Sequence, residues 1–153
     1  DAQLPSGGVY TSVGTYPHEE IVALVVALSQ RSGLAVRDLL LAFGEHLFGR
    51  FVAGYPAFFV NVSDAFVFLA GIEDIIHTEV RKLYPDAELP RFDIERHDSQ
   101  QLVLVYDSRR HFEDLAEGLM RGCIAHFGGG IAIQREVLGD GDHRKERFVL
   151  TRP

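Results

Sequence analysis

Histidine side chains are the most direct candidates in this chain for ligating a metal or a haem iron. The seven histidines are His18, His46, His77, His97, His111, His126 and His143. No two of them form the HExxH spacing of helical zinc ligands. Six fall in predicted turns, at a helix start, or on helices without a distinctive partner, where a solvated or hydrogen-bonded histidine is the ordinary outcome. The helical neighbours of His77 include Glu73, Asp74 and Arg81, so its periodicity alone favours a solvated polar face over a ligand.

A second group of polar residues stands at the end of a predicted apolar strand, where Tyr106, Ser108 and Arg110 recur at every second position. If the chain stays extended, this period of two projects all three side chains to one side. Two hydroxyl groups and a guanidinium suit a ligand that carries carboxylates or a phosphate, because arginine can bind such groups with two parallel hydrogen bonds. On these residues alone, a polar strand end facing water is the competing interpretation.

The composition describes one globular domain. Of the 153 residues, 46% are apolar and 24% are charged, and 15 Lys and Arg against 22 Asp and Glu leave a net charge of −7. This negative charge argues against nucleic acid or an anionic membrane as the main partner. We expect neither a membrane span nor a signal peptide, and therefore a cytoplasmic protein. The single Cys123 excludes an internal disulfide and a multi-cysteine metal site.

Helical periodicity occupies the first half of the chain. The predicted helices cover residues 17–33, 36–52 and 65–83. The third begins after an N-cap at Ser63 or Asp64 and ends before Pro85. Within the second helix, Gly44 and Gly49 favour close packing of a neighbouring element over a flexible joint.

The period changes to two after Pro90. A hairpin is predicted around Asp98-Ser99-Gln100, a helix over 112–127 follows, and a second hairpin pairs residues 131–137 with 146–151. This order predicts an α+β fold, in which an antiparallel sheet of about four strands is packed by one helix. We expect a single domain over residues 1–153. Its expected parts are an irregular lead-in over 1–16, a mainly helical part over 17–84 and a hairpin–helix–hairpin part over 91–153.

Taken together, these features resemble the haem nitric oxide/oxygen binding (H-NOX) domains of bacterial gas sensors and soluble guanylate cyclase. The resemblance rests on a Tyr-x-Ser-x-Arg motif placed downstream of a helical histidine, with 106 − 77 = 29 residues from His77 to Tyr106. Residues 42–46, 76–92 and 115–127 also look like family sequence. In the family the histidine ligates the haem iron and the motif holds the haem propionates. The resemblance therefore implies His77 as the iron ligand and Tyr106, Ser108 and Arg110 as propionate ligands.

Several apolar positions take their expected roles from the same resemblance. Pro90 lies 13 residues after His77 and corresponds to a proline that presses on the macrocycle in several members. Candidates for the wall of the haem pocket, with plain core packing as the alternative, are Phe51, Phe58, Phe66, Leu115 and Leu119. Oxygen-binding members offer a distal tyrosine hydroxyl at the position that looks to be Leu115 here. The resemblance thus implies a nitric oxide sensor that discriminates against oxygen.

The implied cofactor is haem b, iron protoporphyrin IX, and the implied role is sensing, with no catalytic residues. In the family, nitric oxide weakens the bond from the iron to the residue matched by His77, and the changed shape is passed to a signalling partner. Such partners are typically a histidine kinase or a cyclic-di-GMP enzyme, and CO is a second expected gas. A haem-free protein interaction module is the alternative. A haem peroxidase or oxygenase is disfavoured because no distal acid/base pair accompanies the pocket.

The start of the chain departs from the family pattern. Members normally begin with two helices over the distal face of the haem, whereas this chain opens at Asp1-Ala2-Gln3-Leu4-Pro5, which looks like the stretch just after them. We therefore expect the wall of the gas pocket to be incomplete in this sequence. An exposed apolar groove of that kind favours homo-oligomers.

Overall fold

The structure of the chain, a computed structural model, describes residues 3–11, 14–141 and 144–153. Its helices are α1 (His18–Ser32), α2 (Val36–Gly54), α3 (Ala65–Ala70), α4 (Thr78–Leu83) and α5 (Glu113–Phe127). A 3₁₀ turn covers Pro56–Phe59, and a π-helical turn covers Ile72–His77. The strands are β1 (Arg91–His97), β2 (Gln101–Asp107), β3 (Ala132–Leu138) and β4 (Lys145–Thr151). The predicted α+β fold is confirmed.

Helix α1 starts after Pro17 and ends at Gly33, whose φ of 74° glycine adopts without steric cost. Of its described residues, Glu20 alone is buried. Its carboxylate accepts hydrogen bonds from the backbone N–H and hydroxyl of Ser6 and from the hydroxyl of Tyr10, at 2.8, 2.6 and 2.8 Å. Large apolar side chains stay exposed on α1 and α2, among them Val22, Leu24, Val26, Leu28, Phe43 and Leu47.

The single long helix expected over residues 65–83 is wrong, because the segment is broken in the middle. Asp64, not Ser63, caps its start: one carboxylate oxygen accepts from the N–H groups of Phe66 and Val67 at 2.8 and 3.2 Å. After α3, Gly71 interrupts the helix, and the chain passes through the π turn before α4 resumes. Glycine is a poor helix former, and π turns recur at functional sites. Helix α3 is mostly buried, whereas α4 contains no buried residue.

The sheet is antiparallel with strand order β1-β2-β4-β3. Residues Leu102 to Tyr106 of β2 are all buried, because β2 is a central strand with both faces covered. On the inner face, Leu102 and Leu104 pair with Leu150 and Phe148 of β4 and form part of the core. On the outer face, Arg147 of β4 bonds Glu95 on β1 and Glu136 on β3 at 2.7 Å each. Because β2 lies between β4 and β1, the Arg147 side chain crosses this apolar strand to reach Glu95.

Helix α5 packs on the inner face of the sheet and crosses α2 at very short range. A Cβ at Gly44 of α2 would lie 2.5 Å from the backbone oxygen of Leu115, and one at Gly118 of α5 would lie 2.3 Å from that of Leu41. The prediction of close packing at Gly44 is therefore confirmed, whereas a Cβ at Gly49 would meet no heavy atom of the described residues within 4 Å. Among the residues that the structure describes, no helix has the length and apolar character needed to cross a membrane.

Candidate functional site

The C-terminal end of the π turn buries a histidine. His77 is 8% exposed, and its Nδ1 lies 3.0 Å from Oε1 of Glu73, one turn earlier. Burial lowers the pKa of His77 below its ordinary 6.5, and the neighbouring Glu73 carboxylate only partly offsets that effect. The imidazole is therefore neutral at pH 7, and a neutral imidazole is the form that binds metals.

Phe92, at the start of β1, connects His77 to the sheet. Its ring centroid lies 6.1 Å from that of His77 and 5.3 Å from that of Tyr106, its register partner on β2. Its backbone N–H donates to Oε1 of Glu73 at 2.9 Å, the same oxygen that faces His77. The fold thus brings the predicted helical histidine and the predicted tyrosine to one end of the sheet, on either side of one aromatic ring.

The polar triplet does not continue the strand, because β2 ends at Asp107 and a turn begins within the next two residues. The extended course that would project all three side chains to one side therefore ends before Ser108, although the Ser108 side chain still interacts with Tyr106. In this turn the backbone N–H of Arg110 donates to the Ser108 hydroxyl at 3.2 Å. Tyr106 is 2% exposed, and burial raises its pKa above the ordinary value.

Arg110 already binds a carboxylate in this structure. Its Nη2 donates to Oε2 of Glu88 at 2.8 Å, and its Nη1 donates to the backbone carbonyl of the same residue at 3.3 Å. Glu88 lies in the loop just before Pro90, and the Glu88 side chain is 81% exposed. Pro90 itself is half-buried. An exposed carboxylate that one guanidinium holds at the surface can exchange for the carboxylate of a ligand.

The apolar candidates separate into two places. Leu115 and Leu119 are half-buried on α5 beside its crossing with α2. Phe66 is a core residue at 1% exposure, and Phe51 stacks on Phe58 with ring centroids 5.5 Å apart in an aromatic cluster at the end of α2. Phe66 therefore packs as a core residue, whereas Phe51 and Phe58 are half-buried beside the core.

A buried ionic cluster, formed by Arg135 with Asp114, Glu117 and Glu146, lies between α5 and the β3–β4 hairpin. Nη1 of Arg135 bonds Asp114 and Glu117 at 2.5 and 2.9 Å, and Nη2 lies 3.3 Å from Glu146. Burial opposes ionisation of Glu117 and Glu146, but their arginine hydrogen bonds outweigh it and hold both pKa values below the ordinary 4.5. Tyr106 adjoins the cluster, because it pairs in register with Glu146.

Sequence reasoning missed Glu73 and this ionic cluster. The four-residue spacing of Glu73 and His77 was the available signal, but a polar spacing of this kind is more common on solvated helix faces. Of the other histidines, His143 lies outside the described residues. Within the described ranges, no group of three or more His, Cys, Asp or Glu side chains is arranged to hold a metal ion.

The donor set fits a haem. His77 supplies a neutral imidazole whose Nδ1 is already engaged, and Arg110 with Ser108 and Tyr106 supplies a guanidinium and two hydroxyls for carboxylates. A groove of about 340 Å³ runs beside this end of the sheet, between the π turn and β1, and Glu73 and Phe92 are among its lining residues.

Comparisons with known proteins identify a family for the chain and several similar solved structures. A family model described as haem-NO-binding matches residues 1–135. The H-NOX protein from K. algicida, solved in the unliganded Fe(II) state, is 36% identical with a TM-score of 0.91, and the match covers 99% of this chain and 81% of that chain. The IWP-051-bound H-NOX from Shewanella woodyi, in the Fe(II)CO state, is 40% identical with a TM-score of 0.83 over 99% of this chain and 80% of that one.

A third similar structure is the H-NOX protein from S. oneidensis in the Fe(II)NO state. It is 28% identical with a TM-score of 0.83, and the match covers 97% of this chain and 83% of that chain. No curated protein sequence matches the chain at a significant level.

Proposed function

Because the chain belongs to the haem-NO-binding (H-NOX) family of haem-binding gas-sensor domains, we propose that it binds haem b through Nε2 of His77. The observation that carries this proposal is the environment of His77, which is buried, neutral at pH 7 and held at Nδ1 by Glu73. When bound, the haem would supply an iron atom with one face open to a diatomic gas. The protein's part is to hold that iron with a single imidazole.

Tyr106, Ser108 and Arg110 are proposed to bind the haem propionates. The bond from Arg110 to Glu88 supports this role, because it shows that the guanidinium can reach and engage a carboxylate at this end of the sheet. On haem binding a propionate would take the place of the exposed Glu88 side chain. Pro90, two residues further along, would then lie against the macrocycle.

The proposed gas is nitric oxide, with CO as a second ligand and oxygen excluded. Leu115 carries no hydrogen-bond donor, and together with Leu119 it would give the pocket an apolar wall on α5. Bound oxygen carries partial negative charge and needs a donor, whereas nitric oxide binds ferrous haem without one. We expect the ferrous wild-type protein to show no stable oxygen complex in air and to bind nitric oxide without any substitution. We expect Leu115→Tyr to introduce an oxygen complex, and a stable oxygen spectrum of the wild type would contradict the proposal.

The proposed output is a change of shape in the segment that carries His77. Helix α3 is anchored by buried residues, whereas α4, directly after His77, has none. A displacement of His77 would therefore move α4 at lower cost than α3. The partner proposed to sense this movement is a histidine kinase or a cyclic-di-GMP enzyme. A single domain over residues 1–153, homo-oligomers formed through the exposed apolar surface, and a cytoplasmic location stay predictions.

Anaerobic reconstitution with haem tests the proposal. We expect a Soret band in the wild-type spectrum, its loss in His77→Gly and its return when imidazole is added, because free imidazole can fill the space of the missing ring. His46→Gly is the matched control, since His46 is exposed on α2, and it should keep the band without imidazole. A wild-type chain that takes up no haem would favour the haem-free interaction module. Peroxide turnover well above that of free haem would favour an enzyme.

A further inference from the structure

We propose that Glu73 is a positioning residue for His77, and that its carboxylate keeps the ring protonated at Nδ1 so that Nε2 is the nitrogen left to bind iron. This inference rests on the proposed function, in which His77 is the ligand. It concerns a residue of the π turn that does not itself touch the iron.

The carboxylate is oriented independently of the histidine. Oε1 of Glu73 accepts the backbone N–H of Phe92 at 2.9 Å, so the start of β1 fixes this oxygen whether or not His77 is present. Oε2 faces the guanidinium of Arg81 at 4.0 Å. With one oxygen held by the sheet and the other near a cation, the side chain has little freedom to turn away. The Nδ1 atom of His77 lies 3.0 Å from the fixed oxygen.

This contact selects one tautomer of the imidazole. A carboxylate can only accept hydrogen bonds, so the ring nitrogen facing it must carry the hydrogen. The other nitrogen of a neutral imidazole then has a free lone pair, which is what a metal requires. A hydrogen bond from Nδ1–H to a carboxylate also makes the opposite nitrogen a stronger donor to the metal, and it fixes the plane of the ring.

The same oxygen couples His77 to the sheet. Because Oε1 bonds both the π turn and the first residues of β1, a change in the position of His77 changes a contact of β1 two residues after Pro90. The wall of the 340 Å³ groove includes Glu73, so the connection reaches the protein surface. Glu73 is therefore placed to hold the ligand ring and to connect its position with β1.

Two variants and one control test the inference. Glu73→Gln keeps the size of the side chain but removes its charge, and Glu73→Ala removes the acceptor. Asp74→Asn is the matched control, because Asp74 is an exposed acid on the same turn. The first measurement is the tautomer of His77 from the ¹⁵N chemical shifts of its ring in the haem-free chain. The second is the iron–histidine stretching frequency of the ferrous, gas-free protein by resonance Raman spectroscopy.

We expect the wild type and Glu73→Gln to carry the hydrogen on Nδ1, because the amide oxygen of Gln can still accept from Phe92 and His77, whereas Glu73→Ala should lose that preference. In both variants the hydrogen bond from Nδ1–H is weakened or lost. Their iron–histidine frequency should fall, and haem should dissociate about 10–100-fold faster than from the wild type. Asp74→Asn should match the wild type in every measurement. A wild-type ring protonated at Nε2, or a Glu73→Ala variant with the tautomer and frequency of the wild type, would overturn the inference.

These results separate the inference from the proposed function. A chain that never binds haem would contradict the function, yet the tautomer in the haem-free chain would still decide the role of Glu73. A chain that binds haem through His77 with an unchanged frequency in both Glu73 variants would contradict the inference alone.

Discussion

Replacing Arg135 tests how much of the fold depends on the buried ionic cluster. The substitution Arg135→Met removes the guanidinium but keeps an apolar stem of similar length. This stem packs near Phe148, because the guanidinium carbon of Arg135 lies 5.5 Å from the centroid of the Phe148 ring. It leaves Glu117 and Glu146, whose side chains are 5% and 2% exposed, with one fewer cation each. The carboxylate of Asp114 loses its closest arginine contact as well.

The magnitude follows from the burial of these carboxylates. Breaking a buried ion pair by removing one partner costs about 3–5 kcal/mol, because a buried charge is left uncompensated. Arg121 still bonds Glu117 at 2.6 Å and Arg144 still bonds Glu146 at 2.7 Å, so we expect the lower end, about 3 kcal/mol. For a chain of this size such a loss lowers Tm by about 6–12 °C.

The effect should depend on pH. Glu117 and Glu146 have pKa values lower in the folded protein than in the unfolded chain, where 4.5 is ordinary. The stability that their ionised forms contribute is therefore present above pH 4.5 and is lost as the pH falls through the lower, folded values. The difference in free energy of unfolding between wild type and Arg135→Met should be largest near neutral pH and should narrow in acid.

Arg147→Met is the matched control for this measurement. Arg147 also bonds two carboxylates, but those of Glu95 and Glu136 are 43% and 60% exposed. Exposed pairs contribute about 0–1 kcal/mol, so its effect should be small. Urea denaturation and thermal unfolding of both variants, in the same haem state, would provide the comparison. Equal effects of the two substitutions, or an Arg135→Met effect below about 1 kcal/mol without any narrowing in acid, would refute the reasoning.

Two further predictions concern α2 and α5. Gly118→Ala should destabilise the protein by about 1–3 kcal/mol, because its Cβ would meet the backbone of Leu41. Its control is Gly49→Ala, which lies in open space on α2 and should raise stability by up to about 1 kcal/mol. Thermal unfolding of both variants tests this, and an unchanged Tm for Gly118→Ala would contradict the close crossing of α2 and α5. Burial raises the pKa of Cys123 to about 12, so a thiol reagent should label it only when the chain is denatured, and rapid labelling of the native protein would show that the core near Cys123 opens readily.

Local signals in the sequence were sufficient for most elements of the fold. Asp64 acts as an N-cap because its side chain accepts from the N–H groups two and three residues ahead. The hairpin turn at Asp98 is held by the same kind of local contact, with one carboxylate oxygen accepting from the N–H groups of Gln100 and Gln101 at 2.9 and 2.8 Å. The period of two on β4 matches the buried Glu146, Phe148 and Leu150. Caps, turns and periodicities of this kind involve neighbours in the chain, so a sequence displays them directly.

The break in the third predicted helix could not be predicted from the sequence in this way. Gly71 weakens a helix but does not prescribe a π turn, and helical periodicity continues on both sides of it. The tertiary contacts of the two halves differ, since α3 is packed into the core and α4 is not. Packing therefore decided where the helix changes its geometry, and periodicity could not reveal it.

Some features of the candidate site were likewise visible in the sequence, and others depend on the tertiary structure. The 29-residue spacing from His77 to Tyr106 and the identity of the triplet can be found in the chain, and the predicted resemblance was drawn from them. The placement of Phe92 between them, the carboxylate of Glu88 on Arg110, and the meeting of Asp114, Glu117 and Glu146 around Arg135 all join segments distant in sequence. Such contacts exist only once helices and strands dock, because burial is what makes a few charged side chains pair with one another instead of with water.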